Sequence, residues 1–165
     1  MEISDEHFNI VEELKKVVGN ENVLEYNVKR NRRIFVTIKV EKLRDAVKHL
    51  SERGFEHLST ISGVDVEDGA EVIYHLTRQG AKKGMTLSLR VKVPQEGTVP
   101  SIVDILPGAV LYEREVHDLI GVVFDGHPDL SKLVLPEGWP DEIHPLQKRW
   151  GLEEIRRKLM EHGEN

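Results

Sequence analysis

The chain has 165 residues, 39% of them hydrophobic and 32% charged, with a formal net charge of −6. That length suits one domain, which would bury roughly 70% of the surface its unfolded chain exposes. Cysteine is absent, which excludes disulfides, thiolate metal sites, cysteine-held iron–sulfur clusters and a cysteine nucleophile.

The acidic balance disfavours nucleic acid as the main partner, because affinity for phosphate comes from Lys and Arg. Glu and Lys dominate the charges while Asn and Gln are sparse, a composition that leans toward a thermophilic source. No apolar run reaches the length of about eighteen residues that a spanning helix needs. The opening MEISDEHFNI is acidic where a signal peptide is basic and then apolar. A cytoplasmic protein is expected, held at a membrane only through another chain.

In chain order, residues 4–18 read as an amphipathic helix. Phe8, Val11, Leu14 and Val18 recur at helical spacing, Ser4 or Asp5 can cap the start, and Gly19 can end it. Residues 23–28 and 33–40 read as strands, the second alternating through Ile34, Val36, Ile38 and Val40. Residues 42–53 form a helix with Leu43, Ala46, Val47 and Leu50 on its apolar face and Gly54 as its stop. Three strand-like runs follow, HLSTISGVDV, EVIYHLTR and MTLSLRVKV, joined by the turns EDGA and QGAKKG. They predict an antiparallel meander. The fold class is therefore α+β: a mainly antiparallel, mixed sheet with helices packed on one face.

All seven prolines lie after residue 93, so the remainder reads as a proline-punctuated path over the sheet. A short helix is predicted between Pro107 and Gly121. The tail GLEEIRRKLMEHG places Leu152, Ile155 and Leu159 on one stripe of a further helix. The organisation expected is one α+β domain over 1–148, with 94–148 as a partner-binding loop and helix region, and a helical tail over 149–165.

The chemistry concentrates in LYEREVHDLIGVVFDGHPDL, residues 111–130. On a helix Glu113–His117 and Arg114–Asp118 fall at i,i+4 and would pair. Catalysis by paired carboxylates is disfavoured, since Glu113 and Glu115 point apart across a helix. A metal site is disfavoured too, because H-E-x-x-H and E-x-x-H are missing, although His117 and His127 could converge. No G-x-S-x-G, Walker A or G-x-G-x-x-G occurs. In HPDL, Pro128 presses His127 toward an extended backbone and Asp129 can bond amides ahead of it. His144 and Pro145 repeat the His–Pro corner. The long loop between them has a fixed shape, and such loops tend to be binding surfaces.

These residues resemble a known family. VPSIVDILPGAVLYEREVHDLIGVVFDGHPDLSKLVLPEGW followed by HPLQK is similar to the 30-kDa subunit of the proton-pumping NADH–quinone oxidoreductases. That family includes the equivalent subunit of membrane-bound energy-converting nickel–iron hydrogenases. The motif E-R-E-x-x-D, two apolar residues and a later His stands here as Glu113, Arg114, Glu115, Asp118, Leu119, Ile120 and His127. The similarity covers about 34–148. Ser131 and Lys132 stand where the family usually has Arg, Ile143 where it usually has Gly, and Gln147 displaces the basic residue after HPL.

The resemblance implies a non-catalytic subunit without a cofactor of its own. It would pack against the large subunit that holds a quinone site or a nickel–iron centre, beside iron–sulfur subunits. The whole would lie on the inner face of the membrane. The interface residues it carries over are Glu113, Arg114, Glu115, Asp118, His127, Pro128, Asp129, Lys132, Pro136, His144 and Pro145. On this reading the charged cluster is a latch at a subunit junction, and Arg114, serving several carboxylates, matters more than Glu113. The short chain leans toward a hydrogenase-like parent. The competing reading is a stand-alone metal-dependent enzyme using His117, His127 and nearby carboxylates.

Overall fold

The computed structural model describes residues 5–29, 33–80, 84–94 and 97–163. Ser4, the side chain of Asp5 and the middle of the QGAKKG turn lie outside the described residues. Helix α1 (Asp5–Val18) leads to β1 (Val23–Lys29) and β2 (Arg33–Ile38), and α2 (Leu43–Glu52) follows. Then come β3 (His57–Val66), β4 (Gly69–Arg78) and β5 (Met85–Pro94). The five strands form one sheet in the order β1-β2-β5-β4-β3.

The predicted meander is present, with β3–β4 and β4–β5 antiparallel. The mixed character comes from β2, which pairs parallel with β5. Helix α2 carries the chain from β2 to the far edge, and the meander then returns β5 against β2. Parallel neighbours need such a crossover; a tight turn cannot join them.

Alternation along the strands decides which face is covered. Ile34, Val36, Ile38, Val72, Tyr74, Leu76, Leu87, Leu89 and Val91 are all buried on the helix side. Helix α1 adds Ile10, Val11, Leu14 and Val18; Phe8, expected in that stripe, stands 45% exposed and Ile10 takes its place. Helix α2 buries Leu43, Ala46, Val47 and Leu50 as its spacing predicts. Among the described residues no helix covers the opposite face of the sheet. A polar line crosses it, Ser62–His75–Ser88, with His75 contacting both hydroxyls at 3.3 and 3.0 Å. Burial in that line lowers the His75 pKa.

Beyond β5 lie β6 (Thr98–Pro100), α3 (Ala109–Ile120) and β7 (Val123–Asp125). Strands β6 and β7 pair in parallel, Thr98 with Val123 and Pro100 with Asp125. This small ladder was not expected, and it pins both ends of α3. Helix α3 packs on β3, and a glycine permits the approach. A Cβ on Gly63 would stand 2.9 Å from both Ile120 Cγ1 and Val116 Cγ1. Residues 126–151 contain no helix or strand, and α4 (Leu152–Gly163) ends the described chain. Its expected apolar stripe is open: Leu152 is 63% exposed, Ile155 and Leu159 half-buried. No helix among the described residues is long and apolar enough to cross a membrane.

Gly63→Ala should lower unfolding stability by about 1–3 kcal/mol, the usual range for overpacking. A urea titration measures it. Gly80→Ala, where an added Cβ meets nothing within 4 Å, is the control and should stay within about 0.5 kcal/mol of wild type in the same titration.

Candidate functional site: a helix clamped by its own loop

Pro107 and Gly108 precede α3, and Gly121 closes it with φ 85° in the left-handed region. Only glycine adopts that conformation without strain. The helix carries the charged motif, and each member has a distinct fate.

Glu113 is fully buried. Its oxygens accept the Ser101 hydroxyl at 2.7 Å and the Ile102 N–H at 2.9 Å. Burial pushes its carboxyl above the usual glutamate range, against those two donors and the nearby His127 and Arg44. Arg44 of α2 steadies the same segment. It donates to the Ser101 carbonyl and forms a two-pronged bond to Asp104 at 2.8 and 2.6 Å.

Arg114 reaches the other way. Its Nε donates to the Ser131 carbonyl at 3.0 Å, and its Nη2 to Ser131 Oγ at 2.9 Å and the Lys132 carbonyl at 3.0 Å. One turn on, Asp118 Oδ2 accepts three consecutive main-chain N–H groups. They belong to Leu133, Val134 and Leu135, at 3.1, 2.8 and 2.9 Å. Burial works to raise the Asp118 pKa, but these donors and the nearby His117 outweigh it and hold the carboxyl below the usual aspartate range.

The expected ion pairs Glu113–His117 and Arg114–Asp118 are therefore not what the structure contains. Arginine grips carbonyls and aspartate grips amides, so two opposite charges on one helix face fix successive peptides of one loop. The reason is coordination. A loop with no helix or strand leaves its main-chain groups without partners, and these two side chains supply them.

The far end of α3 is also closed by the loop. Of its last four carbonyls, that of His117 accepts Gly121 N–H at 2.8 Å and that of Asp118 accepts His144 Nδ1–H at 2.9 Å. Leu119 O takes Leu146 N–H at 3.0 Å and Ile120 O takes Gln147 Nε2–H at 2.7 Å. Those are the four carbonyls a helix end leaves open. His117 Nδ1–H serves Val122 O at 2.9 Å. His127 Nε2–H serves Val110 O at 3.0 Å, while its Nδ1 accepts Asp129 N–H at 3.1 Å. Each of these histidines is thus committed to the main chain. Among the described residues no group of three or more His, Asp or Glu could hold a metal ion.

The HPDL turn forms as expected. After exposed Pro128, Asp129 Oδ1 accepts Ser131 N–H at 2.8 Å. Lys132 pairs with Asp141. The Pro136 carbonyl takes Trp139 N–H at 3.1 Å, and Trp139 Nε1 donates to Ile143 O at 2.8 Å. Ile143 is fully buried and Pro145 half-buried. Lys148 N–H closes the loop onto β3 through Asp65 at 2.7 Å. Glu115 alone of the motif is exposed, with no bond to any described residue. Ser101, Arg44, Asp104, Leu146 and Gln147 were not anticipated. They work through contacts between residues far apart in the chain, which leave no periodic trace.

Fold and site together define a class: an α+β scaffold domain in which a charged helix orders its own loop. The chain belongs to the respiratory-chain NADH dehydrogenase 30 Kd subunit family, whose profile matches residues 36–156. NADH-quinone oxidoreductase subunit 5 of Thermus thermophilus is 35% identical over 132 residues, covering 73% of this chain. The corresponding NADH-quinone oxidoreductase subunit of Roseiflexus castenholzii is 35% identical over 119 residues, covering 68% of this chain and 67% of its own length. The chain spans 63% of the length of the Thermus relative.

Two solved structures share the fold. A polypeptide of the membrane-bound sulfane sulfur reductase, an archaeal respiratory membrane complex, aligns with TM-score 0.79 and 26% identity. That alignment covers 93% of this chain and 91% of the other. The trypsin-resistant fragment (1–134) of Nqo5 aligns with TM-score 0.62 and 28% identity, covering 73% of this chain and 99% of the fragment.

Glu113, not Arg114, should be the residue the fold tolerates losing least. Glu113→Ala leaves a buried N–H and a hydroxyl without their acceptor and should cost about 2–4 kcal/mol. Arg114→Ala should cost less and act on the loop, read as faster trypsin cleavage after Lys132. Because burial favours the protonated form of Glu113, its contribution is complete below the ordinary glutamate range and fades as pH rises through the raised folded value. Glu113→Gln, which copies the protonated shape, should remove that component of a pH–stability curve. Asp118 has the opposite sign. Its contribution is present above the ordinary aspartate range and is lost as pH falls through its depressed folded value. Asp118→Asn should therefore flatten the acid limb and expose the bond after Lys132 to trypsin.

Proposed function

We propose that this chain is a non-catalytic hydrophilic subunit of a membrane-associated, ion-pumping oxidoreductase, and that it docks on the large catalytic subunit of the peripheral arm. The observation that carries the reading is the commitment of Arg114, Asp118 and the three histidines to main-chain groups of residues 110–135 and of α3 itself. Side chains arranged in this way shape a surface; they do not converge on a reacting atom. Family membership supports the same reading, and so do the relatives' names.

Residues 94–148 form the partner-facing region on this proposal. Their main chain is held from beneath, so Leu133, Val134 and Leu146 stand 41%, 53% and 57% exposed without freedom to collapse inward. Apolar groups ordered before binding lose little freedom on docking. Iron–sulfur subunits would lie alongside, at the inner face of the membrane. Coverage of 93% and 91% with the sulfur reductase polypeptide supports a parent complex of that respiratory membrane kind.

Hydrogen exchange of the full chain, with and without the purified large subunit, tests the proposal. Slowed exchange is expected over 130–148. Protection confined to the β3–β4 and β4–β5 connections would overturn it.

A further inference from the structure

We infer that Glu115 and Leu111 form the partner-recognition point of α3, and that their counterpart is an arginine set in an apolar surface of the large subunit. The inference rests on the docking role proposed above and assigns chemistry to one part of that surface.

Position on the helix comes first. At 100° per residue, 111, 114, 115 and 118 lie on the side of α3 away from β3. The loop takes the line through Arg114 and Asp118. What remains beside it is Leu111, 53% exposed, and Glu115 one turn later, also exposed. Leu133 and Val134, fixed by their bonds to Asp118, extend the apolar surface along the same side.

Charge decides the counterpart. Every other charged or titratable side chain from 113 to 118 has a partner within the chain. Nearby Lys132 is paired with Asp141, and Asp129 is engaged by Ser131. So the patch is apolar with one carboxylate, Glu115, that no group of the described residues engages. Covering it with an apolar partner would strand that charge, which costs more than the contact returns. A cation is required. Guanidinium suits the place better than ammonium, because it is weakly hydrated, lies flat against leucine and meets a carboxylate with two parallel bonds.

The test is a titration of the purified large subunit with the full chain, as wild type, Glu115→Gln, Glu115→Arg and Leu111→Ser. Each variant's thermal melting and sedimentation are measured alongside. Glu115→Gln should weaken binding about ten- to a hundredfold and reduce its salt dependence, since one charge pair is gone. Glu115→Arg should weaken it further, and Leu111→Ser about tenfold. Melting temperatures should stay within about 1 °C of wild type, because neither side chain is buried. Wild-type affinity and salt response in Glu115→Gln would overturn the assignment while leaving the docking role intact. Failure of the wild-type chain to bind the large subunit would overturn both. A wild-type dimer that Glu115→Gln dissolves would overturn it too, by giving this face to a second copy of the chain.

Discussion

One carboxylate oxygen accepting three consecutive peptide N–H groups is the contact on which the second half of this chain depends. Asp118 Oδ2 does this for residues 133–135, a geometry otherwise met at anion-binding turns. Without it, a long stretch free of helix and strand would have to leave its amides to water. The aspartate is itself buried, and the donors keep it ionised. Helix α3 is thereby layered between β3 and a loop of the same chain. Its inner side is apolar apart from Glu113, and its outer side carries Arg114, Glu115 and Asp118 beside exposed Leu111.

The two buried acidic residues on α3 show how environment separates similar chemistry. Glu113 has few donors and full burial, so its pKa rises; Asp118 has three main-chain donors, so its pKa falls. Neither shift points to catalysis. Perturbed acids also arise where a fold needs an acceptor at a particular place, and both of these accept from main chain that neither helix nor sheet can satisfy.

How much of this was legible in the sequence follows from the length scale of each signal. The sheet and α2 were readable because Ile34–Val36–Ile38 and Leu43–Ala46–Val47–Leu50 repeat a period several times over, and α3 because Pro107 and Gly121 bound it. The parallel pairing of β2 with β5 was not, since register between distant strands has no local mark. Strands β6 and β7, three residues each, are too short to show alternation. The charged motif was found, but its partners were misassigned. Spacing of i,i+4 puts Arg114 near Asp118, and only the loop's path shows that each is taken up by main chain instead. The buried fate of Glu113 depended on Ser101 and Ile102, twelve and eleven residues upstream.

Closure of the α3 carbonyls by His144, Leu146 and Gln147 has a consequence for synthesis. Gly121 lies under His144, close enough that a Cβ there would stand 2.5 Å from the imidazole Cδ2. A chain released just before His144 would contain all five strands of the sheet, yet three carbonyls of α3 would have no donor from their own chain and would turn to water. Its α3 would fray at the C-terminal end, with the family motif in place but its loop unanchored at one end.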